Sequence, residues 1–248
     1  MRLVRLSHAV VAPVAVLACL LAAAGRASSD GRQADPAAAD PTTTAPTGGG
    51  SPTSAAPTPT GSASASASPS ALADRLLPTA EVPGLNARWT WQDGETGPAS
   101  TDPFGVCAKA DLVSIGATDV VQRTWFPPDD SDDNAAEQVA EFPDDTTAST
   151  AWTVLKSWHD RCAAPADSTG FRTRALEPVP VTPGAARWYL LSWQPADDEA
   201  VRFEGLGMVR NGTRIAVLRI DHSGPDHDYA SGQDPMIGMV RAAAARLD

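Results

Sequence analysis

Apolar residues are distributed very unevenly along this chain. Residues 9–24 form one uncharged apolar run, and residues 28–70 then contain no large apolar side chain at all. From residue 71 onward, short periodic patterns replace both. Residues 72–77, ended by Pro78 and the Pro83-Gly84 turn signal, read as a short helix and loop. Residues 88–91 read as a first short strand, and residues 106–115 as a short helix carrying Cys107. Residues 120–126 and 135–142 have the β-branched, aromatic and alternating character of strands, joined by the acidic stretch 127–134.

After Pro143 the period changes. Ala148, Trp152, Leu155, Trp158 or His159, and Cys162 recur at three- and four-residue steps, which puts two tryptophans and a cysteine on one helical face. Asp144 and Asp145 at its start complement the helix dipole. Four further strands follow at 171–176, 187–194, 203–210 and 214–220. Asn211-Gly212 between the last two tolerates the positive φ of a tight hairpin turn, which accounts for the Asn-Gly-Thr sequon as local structure. Asp234 and Pro235 supply the N-cap and first position of a final helix, with Met236, Met239, Val240, Ala243 and Leu247 as its buried stripe. This order of elements predicts an α+β fold: a mainly antiparallel, twisted sheet with packed helices.

The start of the chain reads as an address. Arg2 and Arg5 precede the apolar run, small residues follow it, and the run is too short for a comfortable membrane span, so residues 1–27 read as a secretory signal segment. Val16-Leu17-Ala18-Cys19 resembles a bacterial lipobox, but apolar residues continue after the cysteine. Cys19 is therefore either a lipidation site or one more residue of the signal's apolar core. Residues 28–70, built of Ala, Pro, Thr, Ser and Gly, have too little apolar mass to offset ordering entropy and read as a disordered tether. A flexible segment of that length reaches about 35 Å root-mean-square, enough to hold a domain off a surface. Residues 71–248 are then one extracytoplasmic domain, which holds all seven tryptophans.

That segment carries 15 Arg and Lys against 27 Asp and Glu, a formal charge of −12. Such a field repels nucleic acid and anionic bilayers, so membrane contact is expected only through lipid on Cys19. The expected partner is a small molecule or an envelope component. With Cys19 in the signal, Cys107 and Cys162 are the two cysteines of the exported domain, and an oxidising compartment predicts one disulfide between them. Neither sits in a C-x-x-C pattern, which argues against a redox role.

Several motifs together resemble a known family. Residues 76–85 (Leu-Leu-Pro-Thr-Ala-Glu-Val-Pro-Gly-Leu), Cys107, Glu141-Phe142-Pro143-Asp144-Asp145 leading into Ala151-Trp152 and residues 158–162 (Trp-His-Asp-Arg-Cys), then a hairpin and an alanine-rich final helix, are similar to the PknH-like extracellular sensor domain family of actinobacterial secreted proteins and lipoproteins. The resemblance implies an α+β domain with a cleft, a ligand-sensing role and no known reaction. The family's usual second cysteine pair in the late hairpin strands is missing here. No kinase part is present, so signalling would need a separate partner.

Catalytic and cofactor chemistry finds little support. Asp130, Asp132, Asn134 and Glu141 match positions of a calcium-loop template, but Ala135 stands where its sharp turn wants Gly, and a solvated acidic loop is the better reading. Asp221, His222, Asp226, His227 and Asp228 gather metal-ligand chemistry in eight residues, with a Gly-Pro turn as the simpler explanation. There is no G-x-S-x-G elbow and no Gly-rich phosphate loop, and no spacing favours a triad built on His159 or His222. A non-catalytic binding or sensor-type domain without cofactor or metal is expected, with Trp125, Arg187, Trp188 and Trp193 as candidate ligand contacts. The alternative is an envelope carrier or structural protein that shields an apolar ligand. An open polar cleft would favour the first and a continuous dry cavity the second.

Overall fold

The computed structural model describes residues 69–129, 131–224 and 229–248. The segment read as a signal, Cys19, nearly all of the segment read as a tether, Asp130 and residues 225–228 lie outside the described residues. The chain divides into two units, Met1–Thr60 and Gly61–Asp248, and the second contains the fold. Its elements run α1 (Pro69–Ala73), a single 3-10 turn (Thr79–Glu81), β1 (Gln92–Pro98), β2 (Asp119–Phe126), β3 (Asn134–Glu141), α2 (Asp145–Asp160), β4 (Ser168–Thr173), β5 (Glu177–Val179), β6 (Ala185–Pro195), β7 (Arg202–Asn211), β8 (Arg214–Ser223) and α3 (Pro235–Arg246).

The strands form one sheet in the order β1-β2-β3-β8-β7-β6-β4, with β5 on the same edge of β6 as β4. Every pairing is antiparallel. Segments 203–209 and 215–218, in β7 and β8, are buried throughout because both faces of the sheet are covered. On one face lie α3 and the 72–91 segment, packed with Trp125, Val139, Trp188, Val209, Leu218 and Ile220. On the other, α2 and the loop around Cys107 cover Ala136, Tyr189, Leu191, Leu206, Met208 and Val217. Alternation along each strand sorts the side chains between these two cores.

Both long helices start where their caps dictate. The Asp144 carboxylate accepts from the Thr147 amide, 2.7 Å away, and Asp234 accepts from Met236 with Pro235 following it. Helix α3 comes so close to the sheet that a Cβ on Gly207 would lie 2.4 Å from Val240 Cγ2. The expected disulfide forms: Cys107 and Cys162, 55 residues apart, tie the loop before β2 to the end of α2. A cross-link over a loop of that length contributes about 4 kcal/mol in the chain-entropy account.

The opening helix, expected over 72–77, lies at Pro69–Ala73, and residues 74–76 are turn and bend. Two further expected elements do not form. Residues 88–91 are not a strand. The Trp91 indole donates to the Pro83 carbonyl and Trp89 meets its ring edge-on at 5.4 Å, so this apolar pair anchors a loop, and strand pairing begins only at Gln92. Residues 106–115 are not a helix but successive turns, in one of which the Asp111 side chain accepts from the amide and hydroxyl of Ser114. Gly105 and Gly116 bound the segment at positive φ.

The N-terminal segment is clasped by charge as well as by leucines. Glu137, fully buried in β3, accepts from the Leu77 amide at 2.7 Å, while Arg123 donates to the Leu77 carbonyl. Arg246 of α3 donates to the carbonyls of Leu76 and Asp74.

Candidate functional site

Strands β6, β7 and β8 extend past their covering elements, and a concavity opens on each face of their shared end. The concavity on the α3 face has a volume of about 390 Å³. Trp188, Leu190, Phe203 and Ile220 line it from the sheet, and the start of α3 with Leu85 and Pro178 closes its sides. Polar groups rim it: Arg174, Glu177, His222 and Arg241. His222 stacks on Phe203 at 5.0 Å with the rings nearly parallel, and the Tyr229 hydroxyl donates to the Leu85 carbonyl.

The cleft on the α2 face is wider, about 590 Å³, and more of its lining residues are charged. Cross-strand register builds it: Asn134, Asp221, Glu204 and Leu191 stand in one row across β3, β8, β7 and β6. Trp193 and Arg202 pair in the neighbouring row. Glu204 is 2% exposed, and its two oxygens share the Val106 amide at 3.0 and 3.1 Å. Gly105, at positive φ, lets the loop backbone settle on that carboxylate, since a Cβ there would lie 3.0 Å from Glu204 Oε1.

Arginine and carboxylate alternate around this floor. Arg219 Nε lies 2.8 Å from an Asp221 oxygen, its Nη2 donates to the Asn134 side chain, and its guanidinium sits 5.2 Å from the centre of the Phe104 ring. Arg202 pairs with Asp198 at 2.9 Å and approaches Asp132 at 3.6 Å. Burial, and then the facing Asp221, push the Glu204 carboxyl up to about 8. Burial likewise raises Asp221, with Arg219 acting against it. Two carboxylates directly opposite each other in a sheet repel, so this row is held at a cost to stability.

The four candidate contacts do not converge. Trp125 is fully buried in the α3-face core, so its ring reaches neither concavity. Trp188 lines the α3-face cavity and Trp193 the α2-face cleft, as alternation along β6 requires. Arg187 stands in a third, shallow groove beside His159 and Leu176. Sequence reasoning passed over Glu204, Arg219 and Asp221 as a set. A signal existed: Glu204 has the same strand parity as Leu206 and Met208, an acid on an apolar face.

The metal and catalytic candidates come apart. Asn134–Glu141 is a strand, so the would-be calcium ligands at its two ends lie about 23 Å apart. Glu141 is instead committed to Arg214 at 2.8 Å. Asp221 and His222, adjacent in β8, point to opposite faces, and the remaining members of that cluster, 226–228, lie outside the described residues. Among the described residues no group of three His, Cys, Asp or Glu side chains converges as a metal site. His159 has both ring nitrogens occupied, by the Arg174 carbonyl at 2.9 Å and Asp160 at 3.2 Å, while its ring meets Tyr189 edge-on.

No protein-family model and no curated protein matches the sequence. The fold is similar to that of a solved structure, the crystal structure of the extracellular domain of PknH from Mycobacterium tuberculosis. The TM-score is 0.51 at 14% sequence identity, over 71% of this chain and 96% of that one. At that identity the likeness is one of fold, and at that level the resemblance expected from the short motifs holds; in this chain the fold is an antiparallel sheet with a few helices, and the expected single disulfide is present.

Proposed function

We propose that this chain is a non-catalytic, extracytoplasmic ligand-binding domain of the sensor type, and that its ligand occupies the cavity on the α3 face. The observation that carries the reading is that cavity itself: about 390 Å³, apolar where the sheet forms its floor and polar at its rim. This is the size of small-molecule sites, with polar groups placed to orient a ligand. The fold shared with the extracellular domain of PknH and the disulfide support a place outside the cytoplasm.

The shape of the concavities favours a sensor over a carrier. The two concavities at the shared strand end are open and polar at the rim, and the apolar pocket between Phe104, Leu155 and Tyr189 amounts to only about 20 Å³, too small for a lipid chain. The ligand expected is therefore a compact molecule with an apolar or aromatic body and a polar end that meets the Arg174, Glu177 and Arg241 rim.

Native mass spectrometry of the protein purified from its own host tests this, with Leu190→Trp as the companion variant. A co-purifying small molecule that the wild type carries and the filled-cavity variant lacks is the expected result. A ligand retained equally by both, or turnover in a broad panel of ester, peptide and glycoside substrates, would overturn it.

A further inference from the structure

The cleft on the opposite face has a chemistry of its own. Its floor holds a carboxylate that is buried yet under-used. Glu204 offers two oxygens, with about four acceptor positions, and takes one donor, the Val106 amide. Among the described residues it enters no ion pair, whereas Arg219 is turned to Asp221 and Asn134, and Arg202 to Asp198 and Asp132. Both arginines in the cleft are thus already engaged by other acids. Arg219 acts on Glu204 from the neighbouring strand, but among the described residues no guanidinium or ammonium group comes within ion-pair distance of its carboxylate.

The walls suit such a group. Trp193 presents an aromatic ring to the opening, and a ring face attracts an ammonium ion, more strongly where water is displaced. Asp132 and Asp221 add carboxylates at the mouth and floor. The domain's net charge of −12 raises the local concentration of any cation. Inorganic divalent ions fit poorly, because no three ligating side chains converge among the described residues. An alkylammonium group needs only one or two acceptors and an apolar wall.

We propose that the cleft bounded by Trp193, Glu204 and Asp221 binds the ammonium group of an organic amine, with Glu204 as its counter-charge and Trp193 as its wall. This site is independent of the α3-face cavity, and either can fail without the other.

Protonation supplies a distinctive readout. Glu204 is faced by Asp221 and Arg219 on β8, Tyr189 on β6, Arg202 on its own strand, and Asp132 before β3. Burial holds its carboxyl well above the usual carboxylate range, so an incoming cation must displace a proton. Apparent affinity therefore falls as pH drops through that raised pKa, by up to about tenfold per pH unit.

Isothermal titration of the full chain with 1,4-diaminobutane, at fixed ionic strength and in two buffers of different ionisation enthalpy, tests the proposal. Saturable binding with net proton release at pH 7 is expected. Glu204→Gln keeps an acceptor for the Val106 amide but should weaken binding at least about tenfold and abolish the proton release. Trp193→Leu, which keeps apolar bulk, should weaken binding about three- to tenfold while leaving the proton release intact. Absence of saturable binding to the wild type, or binding that both variants leave unchanged, would overturn the proposal.

Discussion

At the scale of single residues, the buried acids decide how this domain responds to pH. Glu137 has no solvent contact, and burial pushes its carboxyl up to about 7, with Arg123 and Arg246 acting against the shift. Its Oε1 has no hydrogen-bond partner while Oε2 holds the Leu77 amide. A folded pKa above the unfolded one means that the native state binds more protons between about pH 4.5 and pH 7. Stability from this group is therefore full below the lower value and is lost as pH rises through the upper one. The loss has an upper bound on the order of 3 kcal/mol. Glu137→Gln keeps the acceptor for Leu77 and removes the ionisation. The variant should be more stable than the wild type at pH 8, by about 1–3 kcal/mol, with little difference at pH 5. Urea unfolding at the two pH values measures this, and a variant that is less stable at pH 8 would refute it. Glu204 acts with the same sign, so some pH dependence remains in the variant.

At the scale of elements, glycine placement fixes how α3 seats on the sheet. A Cβ on Gly207 would meet Val240 Cγ2 at 2.4 Å and Met236 Sδ at 2.7 Å, whereas one on Gly205 would find Met236 Cβ at an ordinary 3.5 Å. Gly207→Ala should therefore cost about 1–3 kcal/mol and Gly205→Ala less than about 1 kcal/mol. Equal costs in thermal unfolding would show that α3 is not docked this closely. The elements that were legible in advance are those with strong local signals. The Asp234-Pro235 start of α3, the Asp144-led start of α2 and the Asn211-Gly212 turn each carry a residue type that few other conformations accept. Residues 88–91 and 106–115 misled because their apolar residues serve tertiary contacts: Trp91 reaches back to Pro83, and Cys107 is pinned to Cys162. The site was less legible than the fold for a related reason. Facing Glu204 against Asp221 requires the β7–β8 register, and seating Val106 on Glu204 joins residues 98 apart in sequence. Tryptophans stand out in a sequence, but Trp125 shows that aromatic size marks the core as readily as a binding wall.

At the scale of the whole molecule, the folded unit is tied to its N-terminal entry. Leu72, Leu76, Leu77 and Val82 are all buried in the α3-face core, each at 7% exposure or less. Burying a side chain of this kind contributes about 1.5–3 kcal/mol, so the four together rival the entire stability of an ordinary domain. The same stretch donates to Glu137 and accepts from Arg123 and Arg246, so its removal would also leave a buried acid without its partner. The segment before residue 61 belongs to a separate unit, and its residues 28–60 carry the composition of a spacer. Two fragments separate these roles. Residues 61–248 should melt cooperatively at the midpoint of the full chain, because every contact among the described residues is kept. Residues 83–248 should show no cooperative transition, although every strand and both long helices remain. A shared midpoint for all three chains would mean that the clasp contributes little and that the domain begins later than its buried leucines indicate. A lower midpoint for 61–248 than for the full chain would mean that the first sixty residues do more than connect.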